Sequence, residues 1–221
     1  MSLLKRDIAK FLEVYHKFDN VTLDKHNCEA LYGEISVVDE KKQHWKNYKV
    51  LITINTSYPH TIPSVYEMSD VIERDWDFHI SKKGACCLDI THDLILKRNT
   101  GINLIEFYRD VIYPFFANHQ YRISKGHYAN GEYDHHEAGI IQYYRTKLGL
   151  KDPLYIINLI NKAIKGDKFE ANKDCPICGN PKYKKCCRPL VNKLRLYGKQ
   201  QLESDLITFN KISESKIENV S

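Results

Sequence analysis

Two cysteine clusters carry the residue types that do chemistry. The first is His79-Ile-Ser-Lys-Lys-Gly-Ala-Cys-Cys-Leu-Asp-Ile90, a histidine ending an apolar segment, a polar turn with a glycine, and the adjacent thiols of Cys86 and Cys87. A cysteine on a tight turn between apolar flanks suits a thiol used as a nucleophile. The flanks hold it still, and a glycine lets another backbone come close. The alternative is two buried cysteines packed as small hydrophobes. The second cluster is Cys175-Pro-Ile-Cys178-Gly-Asn-Pro-Lys-Tyr-Lys-Lys-Cys186-Cys187, four cysteines in thirteen residues. In a short basic segment without a core of its own, this spacing predicts a tetrahedral site for a structural Zn²⁺; disulfide pairing is the alternative. Pro176, Gly179 and Pro181 supply the turns that wrap a short chain around one ion.

Composition bounds what can hold these clusters. A chain of 221 residues with 43% hydrophobic and 11% aromatic residues builds a real core and is not globally disordered. No window approaches a membrane span, and Met1-Ser-Leu-Leu-Lys-Arg-Asp7 has no signal-peptide core. The chain therefore reads as soluble and cytoplasmic, with no membrane partner. In that compartment clustered cysteines mean metal binding or catalysis rather than disulfides. The net charge of +5 is concentrated: residues 161–200 hold eleven Lys or Arg against three Asp or Glu. Such a basic segment suits an acidic protein or a nucleic-acid surface.

The elements that must position the thiols follow from periodicity. Residues 3–18 carry Leu4, Ile8, Phe11, Leu12 and Tyr15 on one helical face. Residues 31–38 and 48–54 read as strands of a hairpin around the polar 39–44, with a third strand at 64–68. Tyr58-Pro59 and Pro63 stiffen a bend between them. Residues 102–116 read as a helix tightened at Pro114, 121–133 as a polar loop, and 136–148 and 154–165 as helices. A terminal helix is expected at about 198–209.

Helix, antiparallel strands, proline bend, cysteine turn, helix is an order that resembles the ubiquitin-conjugating enzymes. Tyr58-Pro59 with Pro63 is similar to that family's Tyr-Pro-x-x-x-Pro bend. Gly84-Ala-Cys-Cys-Leu-Asp-Ile90 is similar to its Gly-x-x-Cys-Leu-x-Ile active-site segment. The resemblance implies an α+β fold: an N-terminal helix, an antiparallel meander sheet, an active-site cysteine turn and C-terminal helices. It makes Cys87, not Cys86, the thioester cysteine, and puts His79 where the family's His-Pro-Asn tripeptide begins. Here Ile80 and Ser81 replace the proline and the oxyanion-stabilising asparagine, so Ser81 or backbone N–H groups inherit that task. His79, Lys82 and Lys83 on the same turn are expected to favour the thiolate, and Asp89 or Asp93 to orient an incoming lysine or simply to be solvated. His135-His136 and the residues after them resemble bacterial relatives from antiphage CBASS operons, which act on the C-terminus of a cGAS-like nucleotidyltransferase. There His136 lines the groove or merely opens a helix. The Lys-Tyr-Lys-Lys-Cys-Cys run resembles the SEC-C zinc knuckle, with Cys175, Cys178, Cys186 and Cys187 as ligands.

The expected organisation is a catalytic domain with a helical extension at 1–168, a zinc knuckle at 169–195 and a polar tail at 196–221. The expected function is a cysteine acyltransferase that carries the C-terminus of a partner protein on Cys87 and passes it to an amine. Two alternatives remain open: a catalytically silent adaptor using the same groove, and a nucleic-acid-binding regulator acting through the basic knuckle. The chain has no glycine-rich nucleotide-binding segment, so an activated C-terminus must come from another protein.

Overall fold

The computed structural model describes residues 1–23, 28–128, 136–166 and 169–218. The chain divides into two compact units, Met1–Glu132 and Tyr133–Ser221.

The first unit is α+β. It opens with α1 (Leu3–Val14), capped where the Ser2 hydroxyl accepts the Lys5 N–H at 3.3 Å. Leu4, Ile8 and Phe11 form its buried face. Four antiparallel strands follow in sequential order: β1 (Phe18–Val21), β2 (Cys28–Val38), β3 (His44–Asn55) and β4 (Ser64–Glu67). Tyr48, Val50, Ile52 and Ile54 of β3 are fully buried, while Asn47, Lys49 and Asn55 between and beyond them are exposed. That alternation sends one face inward. Its partners on β2 are Ile35 opposite Tyr48, Gly33 opposite Val50 and Leu31 opposite Ile52. Each buried isoleucine contributes on the order of 2 kcal/mol, so a one-residue slip that turned this row outward would be prohibitive. Gly33 is a fitted position: a Cβ there would lie 2.5 Å from the Phe18 ring. Its absence admits Phe18 of β1 to the core, against Phe11 and Tyr108 in edge-on contacts with ring centroids 5.3 and 5.7 Å away.

After the cysteine segment come α2 (Thr91–Thr100), α3 (Leu104–Phe107) and α4 (Tyr113–Lys125). A π turn, Tyr108–Ile112, joins α3 to α4 without a break. It ends two residues before Pro114, whose missing N–H leaves the Asp110 carbonyl without its usual donor, and a widened turn absorbs that gap. The helix therefore continues through Lys125 and closes at Gly126, where the composition of 121–125 suggests loop. Leu104, Phe107, Tyr108, Val111, Ile112 and Phe116 line its buried side. The Tyr58–Pro59 peptide is cis. The bend is tied at both ends: the Tyr58 hydroxyl donates to Asp7 on α1 at 2.9 Å, and the Pro59 carbonyl accepts the Ile102 N–H at 2.9 Å.

The second unit is helical: α5 (His136–Lys147), α6 (Pro153–Lys165), α7 (Arg188–Arg195) and α8 (Lys199–Glu218), with the four-cysteine segment between α6 and α7. The division at 132 falls well ahead of the expected boundary at 168. Ile156, Leu159, Ile160 and Ala163 of α6 are buried, and α6 packs on both α7 and α8. A chain cut after Lys165 would leave that stripe uncovered. The terminal helix expected at about 198–209 runs on to Glu218, so that a 20-residue helix takes up most of the expected polar tail. Leu202, Asp205 and Phe209 recur at spacings of three and four and are buried. Asp205 makes that face look polar in the sequence, but its carboxylate accepts from the Tyr144 hydroxyl at 2.7 Å and from Gln201 at 2.8 Å. Among the described residues no helix is long and apolar enough to cross a membrane.

One core histidine ties the sheet to α4. His119 is buried, and its Nδ1 lies 3.0 Å from the Tyr48 hydroxyl. Burial, reinforced by Arg122, pushes the imidazole down to about 4 from an ordinary 6.5. The unfolded chain therefore takes up a proton near pH 6.5 that the fold refuses until about pH 4. The stabilisation is complete above 6.5 and is lost as pH falls between those values. Urea unfolding at a series of pH values should show the native chain losing on the order of 2 kcal/mol more than His119→Gln over this window. Parallel losses in the two proteins would refute the assignment.

Candidate functional site

Residues 79–87 form a small hairpin. The Cys87 N–H donates to the His79 carbonyl at 2.8 Å, and the Ser81 N–H to the Ala85 carbonyl at 2.9 Å. Lys82 and Lys83 are exposed at its tip, closed where the Gly84 N–H reaches the Ser81 carbonyl at 2.8 Å. The returning leg adds to the free edge of β4: Cys86 N–H to Val65 carbonyl and Glu67 N–H to Gly84 carbonyl, both 2.8 Å. Gly84 has φ +82, and a Cβ there would sit 2.5 Å from the Glu67 carbonyl oxygen, so glycine is required twice over.

This pairing separates the two thiols. Successive side chains of an extended leg point to opposite sides. Cys86 packs against the core, and burial pushes its thiol up to about 12. Cys87 is exposed at the end of the leg. The protein around its sulfur, and secondly Asp89, raise its pKa above the ordinary thiol value. The expectation that His79, Lys82 and Lys83 favour the thiolate is thus not met, because the protein around the sulfur strips water from the negative charge and the Asp89 carboxylate adds to the penalty. Asp89 also accepts the Ile90 N–H at 2.8 Å, at the start of α2.

His79 and Ser81 take backbone roles in the hairpin. His79 has φ +56 and meets Cys87 through its carbonyl, while its ring lies against Tyr128 with centroids 5.7 Å apart. The Ser81 hydroxyl accepts the Ala85 N–H at 3.0 Å, which leaves its own proton to give. The N–H groups of Ser81, Gly84, Ala85, Cys86 and Cys87 are all taken within the hairpin or by β4. Those five amides are therefore committed to holding the hairpin, while the Ser81 hydroxyl keeps a proton to donate. His135 and the side chain of His136 lie outside the described residues.

A buried ion pair missed by sequence reasoning supports the hairpin. Glu67 is 1% exposed, and its Oε2 lies 2.8 Å from Arg74 Nη1. Its Oε1 accepts the Ser69 N–H at 2.8 Å and the Ser69 hydroxyl. Arg74 also donates to the Glu67 carbonyl at 2.9 Å and to Asp70 at 2.5 Å. Glu67 follows the apolar Val65 on a short strand, and only its acidic side chain two residues from Ser69 hinted at a partner.

In the second unit the Sγ atoms of Cys175, Cys178, Cys186 and Cys187 all lie within 4.8 Å of one another. Four thiolates around a zinc-sized ion sit about 3.8 Å apart, given metal–sulfur bonds of about 2.3 Å. Cys178 and Cys187 are already at 3.5 Å, so the cluster can hold a metal ion with no large rearrangement. Turns shape it: the Gly179 N–H donates to the Cys175 carbonyl at 2.9 Å, and the Cys175 N–H to the Asn180 carbonyl at 2.8 Å. Burial works to raise the Cys175 thiol. The backbone N–H groups of Cys178 and Ile177, and the thiols of Cys186 and Cys187, outweigh it and bring it down to about 7. Burial pushes Cys186 and Cys187 up. The Tyr155 hydroxyl on α6 lies 3.0 Å from Cys187 Sγ, so the core of the unit reaches the cluster directly.

Exposure decides which thiol of the hairpin reacts. Iodoacetamide should modify Cys87 at least about tenfold faster than Cys86 in the folded chain at pH 8, read by peptide mass spectrometry. Equal rates would mean that the alternation described above is wrong. Comparison with family models, with curated proteins and with solved structures gave no match to this chain.

Proposed function

We propose that this chain is a ubiquitin-conjugating-like acyltransferase that carries a protein C-terminus as a thioester on Cys87. The observation that carries this reading is the hairpin: an exposed thiol on a leg hydrogen-bonded to the edge of a sheet, with its neighbour Cys86 turned into the core. The order of α1, the four-strand meander, the hairpin and the helices after it supports the same reading. In the first step the Cys87 sulfur, having lost its proton to solvent, attacks the carbonyl carbon of a donor thioester. A new C–S bond forms, the donor thiolate departs with its electron pair, and it takes up a proton. In the second step an amine attacks that carbonyl carbon, a C–N bond forms, and Cys87 leaves as the thiolate and recovers a proton from the amine. The Ser81 hydroxyl faces the role of oxyanion donor. A raised thiol pKa slows attack but also makes Cys87 a poorer leaving group, which lengthens the life of the loaded form. The C-terminus of a cGAS-like nucleotidyltransferase, the cargo implied by the resemblance, is the first carried protein to try.

The four-cysteine cluster is proposed as a structural zinc site. Zn²⁺ would supply a cross-link and neutralise thiolate charge, and four sulfur ligands leave it no open position for catalysis. The residues that would hold it are Cys175, Cys178, Cys186 and Cys187, with Tyr155 donating to the Cys187 sulfur from outside.

A second reading has its own observation. Lys182, Lys184, Lys185, Arg188, Lys193 and Arg195 are all exposed around the cluster and along α7. A nucleic-acid-binding role would show as affinity that falls steeply with salt. A silent adaptor would bind the partner without loading Cys87.

Incubation with a donor thioester of the partner's C-terminus should give a conjugate by intact mass. It should be cleaved by excess thiol, absent in Cys87→Ala and kept in Cys86→Ala. The reverse pattern would overturn the assignment of Cys87. Elemental analysis should find about one zinc per chain. Loss of zinc in Cys178→Ser should melt the second unit, seen as a drop in helical circular dichroism. Full zinc retention in that variant would remove the cluster from the account.

A further inference from the structure

We propose that Arg122 is a positioning residue for the Cys87 thiol, holding from α4 the turn whose carbonyl fixes the Cys87 backbone. The contacts run in one line. The Arg122 guanidinium lies over the Phe78 ring at 4.5 Å and over the Tyr128 ring at 4.9 Å, a cation between two aromatic faces. Its Nη1 donates to the Asp77 carbonyl and, at 3.1 Å, to the Tyr128 hydroxyl. Asp77 and Phe78 belong to a single 3-10 turn, Trp76–Phe78, so one side chain grips that turn by a backbone carbonyl and by a ring. The next residue is His79. Its left-handed conformation, φ +56, is unfavourable for a residue with a Cβ and persists only where neighbours hold it. His79 is held on both sides: its N–H donates to the Trp76 carbonyl at 2.8 Å, and its ring rests on Tyr128 at 5.7 Å. Its carbonyl then accepts the Cys87 N–H at 2.8 Å.

The chemistry of the grip explains the residue type. A guanidinium is planar, lies flat between two rings and donates in its own plane, whereas an ammonium does neither. Phe78 is also packed by His119, three residues before Arg122 on the same helix, with ring centroids 5.9 Å apart, so α4 holds the turn by two side chains. Arg122 makes no step of the chemistry. It decides where the sulfur sits, through Phe78, Asp77 and His79. The consequence for acyl transfer rests on the thioester reading above, whereas the positioning itself does not.

Hydrogen exchange resolved to single amides, on the full-length chain, separates the two. In Arg122→Leu the Cys87 amide should exchange about tenfold faster, because its local opening is no longer opposed by the stack. The β3 amides of Ile52 and Ile54 should stay within about twofold of the native chain. Phe78→Leu, which removes one face of the stack, should do the same. Arg122→Lys keeps the charge and should fail to restore slow exchange. Native exchange at Cys87 in both Arg122→Leu and Phe78→Leu, or in Arg122→Lys, would overturn the proposal. So would equal acceleration of Cys87 and the β3 amides, which marks a merely structural residue. The measurement needs no acyl donor. Selective loosening in a chain that never forms a thioester would leave Arg122 as the anchor and sink only the transferase reading.

Discussion

The Glu67–Arg74 ion pair is the joint on which the first unit turns. Glu67 ends β4, donates its N–H to the Gly84 carbonyl, accepts from Arg74 at its own carbonyl, and keeps its carboxylate buried against the same guanidinium. A charge withdrawn so completely from water is tolerable only with good partners, and removing one of them is far worse than removing both. The strand end, the loop around Asp70 and the cysteine hairpin are therefore locked to one geometry. A hydrophobic pair of equal volume would supply packing there but no direction. The ion pair and its backbone bonds specify which residue of the hairpin lies over Glu67, and hence which cysteine faces out.

Much of this was legible in the sequence where burial is periodic. The alternation through β3 read directly, and so did Leu104, Tyr108, Val111 and Ile112 of the helical stripe, because apolar side chains mark the buried face; Phe107 and Phe116 are buried where the spacing pointed to Ile105 and Phe115. The four cysteines of the second unit read well too, since thiols clustered at short spacing serve a metal more often than packing, and their sulfurs do gather within reach of one ion. What escaped was held by polar or contextual contacts. β1 is four residues long with Asp19 and Asn20 at its centre, and its place depends on the gap left by Gly33. α2 buries only His92 and Ile95, too few to show a period. α8 hides its inner face behind Asp205, whose partners Tyr144 and Gln201 cannot be read from spacing alone. The direction of the Cys87 shift was missed for a related reason: desolvation by the surrounding protein, the larger cause, is not visible in the run of residues beside the thiol.

The two units solve the problem of a small core differently. The first relies on a sheet face covered by helices, and its polar features serve to aim one thiol. The second buries tyrosines whose hydroxyls are partnered: Tyr143 shares a hydrogen bond with Tyr197 at 3.1 Å, and Tyr144 donates to Asp205. It finishes its fold around four sulfurs. A metal ion held there would stand in for the apolar residues that a short, lysine-rich segment lacks.

The docking of the cysteine leg on β4 has a consequence for solubility. A sheet of four strands has two open edges, and each is a template for another chain. On one side β1 is short and polar. On the other, residues 84–86 occupy the outer edge of β4 and cover its hydrogen-bonding groups. The segment that carries the thiol is therefore also the seal on the sheet. It cannot be deleted or disordered without exposing an aggregation-prone edge. Replacing the sulfur of Cys87 alone would be expected to leave the turn, the glycine and the buried ion pair, and with them the seal, unchanged.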